Sequence, residues 1–260
     1  MKKQVKIISF LLAVCMLTVS AMPIAAKQGV QSWYVKREKD HRQPRLDTEQ
    51  TVIEGNGGYY IDKSHGDACD EKVIYLTFDA GYENGNVASI LDTLKKEGIT
   101  AAFFILEHLI DAEPALVRRM QEEGHFVCNH TARHKDITRL SKEGFAEELE
   151  ALEKKYEGLT GEKMKRYFRP PEGKYNEETL RWAQEMGYKT VFWSFAYADW
   201  DNGSQPDLLR ARKKIEDNLH NGAVMLFHPT SKTNALLLPE LIRAWKAEGY
   251  RFGTLDELTK

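Results

Sequence analysis

The chain has 260 residues, 42% hydrophobic and 29% charged, with 37 Lys and Arg against 39 Asp and Glu for a formal net charge of −2. That length and balance suit a core built without disulfide staples and exclude a disordered chain or a polytopic membrane protein. With no basic excess there is no electrostatic footprint for nucleic acid.

Residues 1–26 read as an export signal: Lys2, Lys3 and Lys6 precede an apolar stretch from Ile7 to Val19, and Ala25-Ala26 supplies a small-residue cleavage site. The apolar run from Ile7 to Ala26 is also long enough to span a bilayer as an uncleaved anchor. The protein is therefore expected to be exported, in the extracytoplasmic space or cell wall, and to engage membrane only through this segment. Cys15 falls inside it. Cys69 and Cys128 remain where a disulfide is chemically permitted, although two separate thiols are the simpler expectation.

Residues 27–72 are polar, carry the Gly55-Asn56-Gly57-Gly58 turn, and show little periodicity beyond Trp33-Tyr34-Val35 and Tyr59-Tyr60-Ile61. They read as an N-terminal extension and not as a domain of their own. From residue 73 to 260, strand and helix signals alternate. Strands are predicted at Val73–Phe78, Ala101–Leu106, Phe126–Asn129, Tyr167–Phe168, Thr190–Phe195, Val224–Phe227 and Tyr250–Gly253. Helices are predicted at 87–94 and near Pro114–Glu123, Ser141–Tyr156, Glu177–Met186, Pro206–His220 and Leu236–Glu248, several of them stopped by a following glycine. About seven strands joined by helices imply an α/β fold with a parallel sheet. An open doubly wound sheet and a closed barrel both satisfy that count.

Reactive side chains collect just after these strands, where parallel α/β folds place their sites. Asp79, His130, Arg169, Asp199 and His228 each follow a different strand. His130-Thr131-Ala132-Arg133-His134 spaces two imidazoles four residues apart, which in a helical turn would present both to one divalent metal. Two exposed loop histidines would show the same spacing. Asp79 and Asp199 could equally be turn or cap residues, and His228 a satisfied core histidine. Arg169-Pro170-Pro171-Glu172-Gly173 is a rigid turn whose glycine lets the backbone approach a neighbour closely.

Taken together, Thr77-Phe78-Asp79, His130 to His134, Arg169 to Gly173, Asp199-Trp200 and Leu226-Phe227-His228 resemble, in order, the five motifs of polysaccharide deacetylases, the chitin-deacetylase-like carbohydrate esterases. The stretch Thr77-Phe78-Asp79-Ala80-Gly81-Tyr82-Glu83-Asn84-Gly85 is similar to the first motif of the peptidoglycan deacetylases of spore-formers that lead to muramic δ-lactam. In the wider family a second, metal-binding aspartate follows the catalytic one; Ala80 stands here.

The resemblance implies a distorted (β/α) barrel of about seven parallel strands and hydrolysis of the acetamide of N-acetylmuramic acid in peptidoglycan glycan strands. It further implies spore cortex lactam as the outcome, and in a sporulating cell a location between the membranes around the forespore. It assigns Asp79 as general base, with Arg169 orienting it, and His228 as general acid, with Asp199 keeping it protonated. His130 and His134 would ligate a divalent metal, zinc by analogy and weakly held for want of an acid at position 80. Trp200 and Leu226 would wall the acetyl methyl, Tyr82 and Glu172 would touch substrate, and a backbone N–H near Pro171-Glu172 would receive the oxyanion. A chitin or xylan deacetylase, a catalytically weak glycan-binding module and an exported stem-peptide amidase are the rivals.

Overall fold

The computed structural model describes residues 29–260; the expected export signal lies outside the described residues. Ten strands run as β1 (Gln31–Ser32), β2 (Gly58–Tyr59), β3 (Lys72–Ala80), β4 (Ala102–Ile105), β5 (Phe126–Asn129), β6 (Lys165–Phe168), β7 (Lys174–Tyr175), β8 (Lys189–Val191), β9 (Ala223–Phe227) and β10 (Tyr250–Phe252). The helices are α1 (Val52–Gly55), α2 (Asn86–Glu97), α3 (Glu107–Ala112), α4 (Pro114–Glu122), α5 (Lys142–Thr160), α6 (Glu177–Glu185), α7 (Leu208–Asp217), α8 (Lys232–Ala247) and α9 (Leu255–Leu258).

Eight strands form one parallel sheet in which β2, β8, β6, β5, β4 and β3 are successive neighbours, and β9 and β10 both pair with β3. The sheet curls until its ends meet. Beyond β8, the Ser194 and Phe195 N–H groups donate to the Val224 carbonyl at 3.0 and 3.2 Å, and the Leu226 N–H returns to the Phe195 carbonyl at 2.9 Å. This short seam makes the architecture a distorted (β/α) barrel, resolving the choice between an open sheet and a closed one.

Strand alternation divides the core into two layers. Val73, Tyr75, Phe104, Cys128, Tyr167, Val191 and Val224 fill one side of the sheet. Ile74, Leu76, Phe78, Phe103, Ile105 and Val127 face the other, against α2, α4, α7 and α8. Burial on both faces explains why the strands read as nearly continuous apolar runs. Each fully buried Phe or Leu side chain contributes about 1.5–3 kcal/mol. Along β3 the face carrying Val73 and Tyr75 continues to Thr77 and Asp79, so it turns polar only at the C-terminal mouth.

Helix ends follow local chemistry. Ser141 caps α5 by accepting the Gly144 N–H, Asn176 and Thr179 form a capping box on α6, and Ser231 caps α8. Several elements depart from the sequence expectation: it lacks the short β1, β2, β7, α1 and α9, and β2 adds an eighth strand to the sheet. The strand predicted over 190–195 stops at Val191, because Phe192–Phe195 peels off toward β9. Helix α8 begins four residues early, its first turn carrying the polar buried pair Thr233 and Asn234. Helix α3 was hidden in a segment with too few apolar positions to show a period.

The extension packs onto the barrel through β2, which pairs with β8, and through β1, which pairs antiparallel with β7. Trp33 is its anchor, with its ring stacked on Phe192 at 4.4 Å between centroids. Cys69 and Cys128 are free thiols.

Candidate active site

A cleft of about 730 Å³ opens at the C-terminal ends of the strands. Asp79, Tyr82, His130, His134, Glu172, Trp200, Leu226 and His228 all line it, so every predicted site residue but two reaches its wall. The two others, Arg169 and Asp199, lie immediately behind as buried partners of the titratable groups. Gly81, Leu106, Trp193, Ala196, Tyr197 and Thr230 complete the wall, and none of them is a site residue predicted from the sequence.

On one side, Asp79 ends the polar series of β3. Arg169, fully buried, donates from Nη1 to Asp79 Oδ1 at 2.8 Å, from Nη2 to Thr77 Oγ1 at 2.9 Å and from Nε to the Val191 carbonyl at 2.9 Å. Its guanidinium lies 4.1 Å from the centre of the Phe104 ring. Burial would push the Asp79 carboxyl up, but the charge of Arg169, with His228 beyond it, outweighs burial and holds the carboxyl below the usual carboxylate range. The group is therefore an anion at neutral pH, oriented by a buried guanidinium that is itself hydrogen-bonded to Thr77 and to the Val191 and Phe192 carbonyls.

Facing it, His228 follows β9 and is gripped by Asp199: Oδ1 lies 2.7 Å from His228 Nδ1, and Oδ2 accepts the His228 N–H at 2.9 Å. Asn234, in the first turn of α8, donates to the same Oδ2 at 2.6 Å and accepts from the Tyr197 hydroxyl. Burial would lower the affinity of His228 for a proton, but the Asp199 carboxylate, with Asp79 beyond it, raises it above the ordinary histidine value. With Nδ1–H committed to Asp199, Nε2 is the atom free to exchange a proton with a ligand.

Sequence spacing suggested that His130 and His134 share a helical turn; the structure corrects this. The segment is an irregular loop with Thr131 and His134 in the left-handed region, φ 69° and 55°. Its rings nevertheless meet, edge to face with centroids 5.0 Å apart. His130 Nδ1 lies 2.8 Å from the Arg169 carbonyl oxygen, which can only accept, so Nδ1 carries the hydrogen and Nε2 keeps its lone pair. Burial pushes the His130 imidazole down to about 4, leaving it neutral at neutral pH. Nε2 stands 3.6 Å from Asp79 Oδ2, too far for a hydrogen bond.

A neutral imidazole with a free lone pair, a second imidazole beside it and a carboxylate opposite form a donor set suited to a divalent cation. Among the described residues no group of three His, Cys, Asp or Glu side chains closes around a point, so a cation here takes part of its shell from water or substrate. Ala80 is fully buried with Phe78, Val87 and Ile105 in the helix-facing layer and does not line the cleft.

The Arg169–Gly173 turn forms another wall. Glu172 is left-handed at φ 55°, and its carboxylate points outward to Lys174 Nζ at 2.6 Å, so it sits at the rim. Gly173, at φ 63°, is held between Trp193 and Trp33: a Cβ there would lie 2.8 Å from an atom of each. The close approach expected of this glycine is thus to the extension, whose Trp33 N–H donates to the Gly173 carbonyl at 2.9 Å and whose indole N–H donates to the Trp193 carbonyl at 2.8 Å. Tyr82 and Trp200, 43% and 58% exposed, present aromatic faces at the mouth, where Asn202 bonds the Tyr82 hydroxyl. Leu226 is buried at the floor.

Comparison with known proteins gives a consistent picture. Residues 66–191 match the family model described as polysaccharide deacetylase. The peptidoglycan-N-acetylmuramic acid deacetylase PdaA of Bacillus subtilis is 36% identical over 228 residues, covering 87% of this chain and 85% of that protein. The solved structure of Bacillus subtilis PdaA, a family 4 carbohydrate esterase, superposes with a TM-score of 0.82 at 35% identity, covering 88% of this chain and 96% of that one. The peptidoglycan-N-acetylglucosamine deacetylase PgdA of Listeria monocytogenes is 34% identical over 195 residues, which cover 74% of this chain and 40% of that protein.

Proposed function

The chain belongs to the polysaccharide deacetylase family, and from that membership we propose that it hydrolyses the acetamide of N-acetylmuramic acid in peptidoglycan. The observation that carries the reading is the pairing of Asp79 and His228 on the walls of one cleft, each fixed by its own buried partner of opposite charge character, Arg169 and Asp199. An unactivated amide needs a base for the attacking water, a donor for the tetrahedral oxyanion and an acid for the departing amine.

Asp79 takes the proton from water, its Oδ1 anchored by Arg169 so that Oδ2 faces the cleft. His228 delivers a proton from Nε2 to the amine nitrogen as the C–N bond breaks, and Asp199 stabilises the imidazolium that does so. For the oxyanion, Pro171 has no N–H and that of Gly173 is committed to the Pro170 carbonyl at 3.0 Å, which leaves the N–H of Glu172. Leu226 and Trp200 bound the space for the acetyl methyl, and Tyr82 and Glu172 meet the sugar at the rim.

His130 and His134, with Asp79 Oδ2 close by, would hold a divalent metal, zinc by the nature of the donors; when bound it polarises the acetyl carbonyl and acidifies water. The freed amine lies on the same sugar as a lactyl carboxylate and closes onto it with loss of water, giving muramic δ-lactam in spore cortex. The apolar start of the chain supports work outside the cytoplasm, in a sporulating cell between the membranes around the forespore.

Muropeptide mass spectra before and after incubation test this. Loss of acetyl and then of water on muramic acid is expected. Acetyl lost only from glucosamine, as the name of the Listeria relative describes for that protein, or from chitin or xylan alone, would overturn the assignment; no acetate from any glycan would overturn deacetylation.

A further inference from the structure

Helix α5 contains a carboxylate that the mechanism does not use. Glu148 is buried to 1% exposure on a helix whose other acids mostly face water, and all its polar contacts go to one segment, residues 132–135. Its Oε2 accepts the backbone N–H of Arg133 at 2.9 Å, its Oε1 meets Arg133 Nη1 at 3.1 Å and Lys135 Nζ at 2.8 Å, and its own carbonyl accepts the Ala132 N–H at 3.0 Å. These contacts bracket His134 on both sides. The loop needs such bracing, because it has no helical ladder and two of its residues are left-handed. The same helix fixes the loop's start: Asn129 donates to the Leu149 carbonyl at 3.0 Å while its Oδ1 accepts the Thr131 N–H at 2.8 Å.

We propose that Glu148 is a positioning residue that sets the pose of His134, and thereby the affinity of the two histidines for a divalent cation; this rests on the deacetylase reading for the use to which that pair is put. The decisive contact is the buried carboxylate oxygen on the Arg133 N–H. The Arg133 and Lys135 side chains are half exposed and screened, and they add little by comparison. Partners that orient a metal ligand from behind typically change metal affinity by about 10–100-fold when lost.

The test is calorimetric titration of zinc into the metal-stripped full chain. Glu148→Ala should bind about tenfold more weakly or worse, and Glu148→Gln, which keeps an oxygen for the Arg133 N–H, should recover most of the loss. A folded Glu148→Ala protein that binds zinc like the wild type would overturn the proposal, as would Glu148→Gln binding no better than Ala. If Glu148→Ala does not fold, hydrogen exchange of the wild-type Arg133 amide decides: protection is expected, and exchange at the rate of a free loop would overturn it. The two readings separate cleanly. Weakened zinc binding in the Ala variant of a chain that deacetylates no glycan sinks the function and keeps the positioning role, whereas an active wild type with unchanged zinc binding in that variant does the reverse.

Discussion

Replacing Arg169 by Met tests the anchoring of Asp79 most severely, since methionine fills much of the same space without the guanidinium. Three hydrogen bonds of 2.8–2.9 Å are lost, two of them to groups sealed from water, and Asp79 is left as a buried carboxylate without its strongest counter-charge. Removing one member of a buried pair costs about 3–5 kcal/mol, a fifth or more of the roughly 5–15 kcal/mol stability of a typical domain. The pH dependence carries the diagnosis. In the wild type the folded Asp79 pKa lies below its unfolded value, so the carboxylate stabilises the fold above the unfolded pKa, and that contribution fades as pH falls through the folded one. Without Arg169 burial dominates, the folded pKa rises above the unfolded value, and the sign reverses. Arg169→Met should therefore be most impaired near neutral pH and regain stability relative to wild type on acidification. Adding Asp79→Asn should relieve about 0.5–3 kcal/mol of the penalty without restoring activity. Urea unfolding of the four proteins at pH 5 and pH 7 measures all of this. A single Arg169→Met variant within 1 kcal/mol of wild type at both pH values would refute the reasoning.

Asp79→Asn alone should stay folded and lose about 10²–10⁴ in acetate release, because an amide cannot take the proton from water; comparable turnover defeats the base assignment. His228→Ala should depress kcat much more than it raises KM, read from steady-state kinetics on muropeptides. Asp199→Asn removes the charge that raises His228, so the alkaline limb of the kcat/KM profile, where the acid loses its proton, should move to lower pH; an unmoved limb would assign that limb to another group. Gly173→Ala forces a Cβ to within 2.8 Å of both Trp33 and Trp193 at a left-handed φ, and should cost about 1–3 kcal/mol in denaturant unfolding together with most activity.

The strand-end residues were legible because a parallel α/β fold sends the C-terminal ends of its strands to one rim, so five motifs in sequence become one cleft in space. The form of the loop from His130 to His134 was not, since spacing of four residues is common to a helical turn and to a loop that doubles back through left-handed residues. Asn234 was invisible for another reason: its role depends on α8 starting early enough to bring its first turn behind Asp199. Glu148 did leave a trace. It falls three residues after Phe145 and four before Leu152, on the buried stripe of α5, where an unpartnered acid would be costly. Trp33 is legible in the sequence as part of an N-terminal extension but not as its anchor, because its partners Phe192 and Trp193 are far away in the chain.

That distance has a temporal meaning. Trp33 reaches the Trp193 carbonyl across 160 residues, Arg37 reaches that of Ala196 across 159, and His41 that of Leu219 across 178. Contacts of such span form only after the chain between them is available and its loop entropy has been paid, so they belong to the last steps of folding. A chain emerging from the ribosome, or threading N-terminus first through a membrane, holds Trp33 for a long interval with nothing to brace. The wall made by Gly173, Trp193 and Ala196 sets only when the segment through β9 has arrived, and a nascent chain, even one whose early strands have paired, has no finished cleft with which to attack glycan.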